Sequence, residues 1–204
     1  IINFMKKLVF YIFILLFSHS LWAFNSSAFL ISQSAFKNHD YSAALLNFNI
    51  EQFKFSNSNL LEKVIAAIIT EDLILANKIS NKILLEDSEN QEAYIVKLVY
   101  FYYNEKFDEI KKFHQNMGEK NELIDFIFFN NEELKDRATI SKALIDIVIS
   151  SFSNTDQQSL NYNFLLFYTS LSKIIDRKND RASLIKGELF QSVEKPDAAK
   201  LILK

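Results

Sequence analysis

Between residues 28 and 117 apolar side chains return every three or four positions, and short polar breaks interrupt them. That spacing is the signature of amphipathic helices. Phe29 and Phe36 mark one short segment, and Tyr41, Ala44 and Leu45 the next. Residues 60–69, LLEKVIAAII, form an apolar helix, and Leu73, Ala76, Ile79 and Ile83 share one face of residues 73–85. A further pair is expected at 92–103 and 107–117. Further on, Leu160, Phe164, Phe167, Leu171 and Ile174 step by four and three, the most regular helical stripe in the chain. Asn59, Ser88 and Thr155 each stand three residues ahead of a Glu or Gln. In that arrangement the cap oxygen and the returning side chain satisfy helix-end N–H groups, so helices are expected to start there.

The breaks themselves repeat. HDYSAA (39–44), EDLILA (71–76) and EKFDEI (105–110) each hold two polar residues, an aromatic or Leu, two free positions and a small or aliphatic residue. Ala44 to Ala76 spans 32 residues and Ala76 to Ile110 spans 34. A helix–turn–helix unit recurring near that period is the sign of an α-helical repeat array. The polar pair makes a tight turn, the aromatic packs beneath it, and the small residue lets the second helix approach the first. Only two glycines and one proline occur, which argues for helices and against any β-sheet.

On these residues the chain resembles tetratricopeptide-repeat (TPR) proteins. Tyr41, Leu73 and Phe107 match the aromatic after the turn, and Ala44 and Ala76 the small position of the second helix. DSEN (87–90) is similar to the family's connector between repeats, with Ser88 where proline usually stands. Tyr94, Leu98 and Phe101 match the first helix of the third unit. The layout is similar to that of exported alphaproteobacterial members. The resemblance implies an all-α fold, a right-handed α-solenoid with units near 28–57, 58–90 and 91–119, then degenerate units at 120–157 and 158–204. It covers residues 28–117 well and the remainder loosely. Departures stand where the first helix usually carries Gly or Ala: Ser32, Val64 and Leu98. Leu98 faces the register of Ile110, so the third pair is expected to splay or shift. The resemblance also implies that Ile65, Ile68, Ile69, Ile95, Val99, Tyr102 and Tyr103 line a concave, apolar groove for a protein or peptide partner.

Composition narrows the function classes. Of 204 residues, 49% are hydrophobic, enough for a packed core. A net charge of −2 leaves no electrostatic footprint for nucleic acid. Without cysteine, neither a disulfide nor a thiolate is available. Met5, Lys6 and Lys7 precede the unbroken apolar run 8–17, and Ala23 offers a small residue for cleavage. Residues 5–23 therefore read as a secretory signal peptide and the mature chain, 24–204, as periplasmic. The alternative is an uncleaved inner-membrane anchor. His19, His39 and His114 do not cluster, so no metal site is expected. Neither a nucleophile elbow nor a phosphate loop is present, so we expect neither an enzyme nor a cofactor. The expected function is an exported interaction scaffold. The alternative is the N-terminal structural part of a larger multi-repeat envelope protein, with intramolecular packing only. Pro196 and Asp197 open a further helix, so the array is expected to continue beyond Lys204.

Overall fold

A computed structural model describes residues 27–46, 57–116, 121–131, 133–154 and 161–194. The signal segment, Leu160, the Thr155 cap and the Pro196 helix lie outside these residues. Helix α1 (residues 27–37) and α2 (Tyr41–Leu46) belong to a first compact unit, residues 1–51. The second unit, residues 52–204, holds α3 (Asn57–Ile69), α4 (Leu73–Glu86), α5 (Gln91–Tyr103) and α6 (Phe107–Gln115). After these come α7 (Glu122–Phe128), strands β1 (Phe129–Asn130) and β2 (Glu133–Leu134), α8 (Arg137–Asn154), α9 (Tyr162–Ile175) and α10 (Asp180–Glu194). The fold is all-α, built from helix hairpins.

The three repeated breaks adopt one and the same turn. Their middle residues are left-handed, with φ of 60° at His39, 65° at Glu71 and 58° at Glu105. Each middle N–H donates to the carbonyl three residues back, Phe36, Ile68 or Tyr102, at 3.1, 3.0 and 3.1 Å. The next N–H, of Asp40, Asp72 or Lys106, donates to the carbonyl five back, Ala35, Ala67 or Phe101, at 2.9, 2.8 and 2.9 Å. This pair of bonds closes a helix C-terminus on a left-handed residue. Asp40 and Asp72 then cap the following helix, each Oδ1 accepting an N–H at 3.0 Å, from Ala43 and Leu75. Lys106 makes no such cap bond.

Glycine normally fills the left-handed position, and this chain puts His and Glu there at a cost of roughly 1–2 kcal/mol each. Glu105→Gly is therefore expected to raise stability by roughly 0.5–1 kcal/mol, part of the gain being lost to glycine's freedom in the unfolded chain. Its exposed ion pair with Arg137, 3.3 Å, adds little to the balance. Glu71→Gly is expected to give no gain, because Glu71 holds the ion pairs described below. Denaturant melts of the two variants compare them directly. An equal gain at both positions would show those ion pairs to be worth nothing.

Tyr41, Ala44, Leu73, Ala76 and Ile110 are buried, as the repeat register requires. Phe107 departs from it, 42% exposed, while Tyr102 is buried and its ring meets Phe107 edge-on at 5.4 Å. Leu98 and Ile110, the bulky residues where small ones usually meet, are both fully buried. Ala76→Leu is expected to destabilise by about 1–3 kcal/mol through overpacking. Lys78→Leu on the exposed side of the same helix should change stability by less than about 0.5 kcal/mol. Thermal melts of the pair test the register.

Several expectations need correction. Asn59 lies in the first turn of α3, two residues past its start, so the helix begins ahead of it. Asn90, not Ser88, caps α5, accepting from Ala93 N–H at 3.1 Å. A short antiparallel pair exists despite the helical composition: Phe129 faces Leu134 and Asn130 faces Glu133. The tight link between α7 and α8 needs partners for its backbone. Asn131 turns it at φ 49°, Lys135 N–H bonds Phe128 O at 2.8 Å, and Tyr102 Oη donates to Lys135 O at 3.0 Å.

The largest difference concerns α9. Its stripe reads as one-sided, yet every residue from Leu165 to Ser172 is buried. The helix packs against α3 and α5 as well as α8 and α10. Two of its buried polar side chains are matched, while Ser170 Oγ is buried without a hydrogen-bond partner among the described residues. Thr169 Oγ1 returns to Leu165 O at 2.7 Å, and Ser172 meets Ser141 of α8 in a reciprocal set of bonds, Oγ to Oγ at 2.7 Å. Among the described residues no helix is long and apolar enough to cross a membrane.

Candidate functional site

The seven residues assigned to a concave groove are not alike. Ile68, Ile69, Ile95, Val99 and Tyr102 are all at most 5% exposed, on the two helices that α9 covers. Ile65 is half-buried and Tyr103 is 42% exposed. The groove-lining positions are thus core positions in this fold, and Tyr103 is the one that faces solvent. The physical reason is that an apolar stripe on α3 and α5 is satisfied by packing against the buried helix α9.

Polar chemistry gathers at one end of that seam. The α3–α4 turn puts Glu71 beside two lysines from the last hairpin. Its Oε1 accepts from Lys186 Nζ at 3.0 Å and lies 3.4 Å from Lys173 Nζ. Lys186 Nζ also donates to Ile69 O at 3.0 Å, one of the carbonyls left open at the C-terminus of α3. Tyr103 ends α5. Arg177, just past α9, donates from Nη2 to Tyr103 Oη at 3.1 Å, with its guanidinium 5.9 Å from the ring centre. Glu71, Lys173, Tyr103 and Arg177 border a cleft of about 590 Å³, with Leu73, Ile74 and Ile174 on its apolar side. Ile74 is 76% exposed.

Burial works to raise the Glu71 carboxyl, but the Lys186 bond and charge, with Lys173 behind them, hold it below its ordinary value. Burial lowers Lys186, against the pull of Glu71. A carboxyl depressed in the folded state contributes stability above its unfolded value of about 4.5, and that contribution is lost as pH falls through the folded value. Glu71→Gln is therefore expected to melt below the parent at pH 7 and to converge with it once the pH has fallen through the folded value of Glu71. Paired melts across that range check the sign.

His39 Nδ1 lies 3.0 Å from Tyr41 Oη within its turn. His114 stacks on Phe129, centroids 4.1 Å apart, and its Nε2 is 3.0 Å from Asp125 Oδ1. The two histidines thus serve local packing, and no metal-holding group of His, Asp and Glu exists among the described residues. Sequence reasoning did not pick out Glu71, Lys173, Arg177 or Lys186 as a set. Position 71 was marked by the repeat, but its partner Lys186 stands 115 residues away, beyond the reach of local spacing.

Compared with known proteins, the chain matches no family model, no curated sequence and no solved structure.

Proposed function

We propose that the chain is an exported, non-enzymatic interaction scaffold of TPR type, which recruits a partner polypeptide at the end of its helix seam rather than along it. The observation that supports the repeat reading is the identity of the three turns, bond for bond, at the spacing of the repeat. The docking surface follows from what remains open. The seam is filled by α9, whereas Ile74, Tyr103 and Arg177 border a cleft at its end. Exposed Tyr and Arg beside an aliphatic residue are the side chains that dominate binding energy at protein interfaces.

A photo-crosslinking residue at Ile74 tests this in the expressing cell, with Leu85 as control. Both are exposed and both lie on α4, 76% and 86% respectively. A discrete adduct with one polypeptide at Ile74 and none at Leu85 is the expected result. The same adducts at both, or none at either, would sink the scaffold. A second reading, a structural segment of a larger envelope protein, draws on the burial of α9 against α3 and α5. It is the reading left standing by the negative result.

A further inference from the structure

We infer that the outer face of α10 is a docking surface for the chain's own segment 196–204, which crosses it at Gly187 and closes a further helix hairpin. The inference is independent of the scaffold reading. It commits the segment that follows α10, and not a second protein, to that face.

The starting point is a glycine. Gly187 stands in the middle of α10, where glycine weakens a helix relative to alanine. Its φ is not positive, and a Cβ there would meet nothing within 4 Å. Among the described residues, then, neither backbone conformation nor packing calls for it. The inner side of the helix is core: Ala182, Ile185 and Leu189 are buried, and α10 packs on α9. Leu184, one turn ahead of Gly187, is 63% exposed. A glycine beside an exposed leucine suits the close approach of another backbone, which a side chain at 187 would hold off.

The register of the chain names the occupant. In the three earlier hairpins the residues assigned to the helix crossing lie twelve apart: Ser32 and Ala44, Val64 and Ala76, Leu98 and Ile110. All six are buried, and Ser32 Oγ donates to Ala44 O across the first pair. Twelve residues after Gly187 stands Ala199. The break between them, EKPDAA (194–199), shares Glu, Lys and Asp with EKFDEI (105–110), position for position. Three residues ahead of each crossing come Phe29, Leu61 and Ile95, half-buried or buried, and here Leu184. Three residues past the crossing, Ile202 takes the place of the fully buried Ile79. Leu201 takes that of Leu46, Lys78 and Lys112, all exposed. Pro196 suits the first position of the new helix, where its missing N–H costs no bond. At the spacing of the other turns α10 closes two residues before Glu194, a shift within the fraying of a helix end.

The chain has no cysteine, so an introduced pair reports on the crossing without background. Gly187→Cys is combined with Ala199→Cys in the full chain, and with Leu201→Cys as the comparison. Helices that cross on small residues bring Cα atoms within the about 4.4–6.8 Å that a disulfide spans, so the 187–199 pair is expected to close within one chain at least about tenfold faster than the 187–201 pair. Equal rates, or no such bond in a folded 187–199 variant, would overturn the inference. Disulfide-linked dimers of the single Gly187→Cys variant would overturn it too, assigning the face to a second copy. A photo-crosslinking residue at Leu184 that captures another polypeptide would give the face to a partner instead, with the same consequence. Gly187→Leu tests the crossing without oxidation. It is expected to melt below the parent, because added methylenes overpack the contact. A rise in melting temperature, which helix propensity alone produces on an uncovered face, counts against the docked segment. Should Gly187→Leu fail to fold, the cysteine pairs decide.

Discussion

Phe167→Ala in α9 is expected to lower stability by about 3–5 kcal/mol, enough to unfold a domain of ordinary stability. The side chain is fully buried and meets Tyr168 edge-on, centroids 5.2 Å apart. What distinguishes this result from any core truncation is where its consequences travel. Since α9 packs on α3 and α5, amide exchange in those helices should quicken as much as in α8 and α10. In an open row of repeats each unit contacts only its neighbours, so the damage would stay at the C-terminal end. Exchange measured helix by helix on the variant, under conditions where it remains folded, separates the two. Changes confined to α8–α10 would show that α9 does not seal the seam. The same burial explains why a partner is not expected in the seam. Displacing α9 would expose Leu165, Leu166, Phe167 and Leu171, at roughly 1.5–3 kcal/mol each. Few interfaces repay such a loss.

Ile95→Ala is the second large effect, about 2–5 kcal/mol of destabilisation. Ile95 is fully buried on α5, although the repeat register assigns it to a binding groove. A groove residue open to solvent would behave differently, with an unchanged melting temperature and a weakened partner. Tyr103→Ala provides the contrast on the same helix. Its side chain is part-exposed, and the change should stay within about 0.5–1 kcal/mol while removing the support of Arg177. Thermal melts of the two variants decide whether the α5 face is core or groove.

Much of the fold was legible in local spacing. The stripe Leu73, Ala76, Ile79 and Ile83 is buried throughout, and the breaks at 39–40, 71–72 and 105–106 are turns of one geometry. Both features depend on residues within one or two turns of each other. Their spacing in sequence is their spacing in space. Cap positions were read less well, at Asn59 and Ser88, because Ser, Asn and Asp stand close together at each break. Which oxygen reaches the N–H groups depends on backbone angles that composition does not record.

The candidate site was less legible. Tyr103 was visible as an aromatic on the third unit, but its partner Arg177 lies 74 residues further on. The carboxylate of Glu71 gains its meaning from two lysines of the last hairpin. No local pattern predicts such meetings, because a salt bridge over that distance is set by where helices come to rest.

The sequence by itself determined the helices, the hairpin turns and the burial of their facing stripes, since hydrogen bonding and periodicity act over a few residues. Only the tertiary structure decided what lies on the α3–α5 face. An apolar stripe has the same pattern whether it is covered by a partner or by the chain's own helix. The hydrophobic effect is non-directional and takes whichever apolar surface is tethered nearby. Here α9 is buried on every side from Leu165 to Ser172, so it fills the seam, and the polar cleft lies at its end.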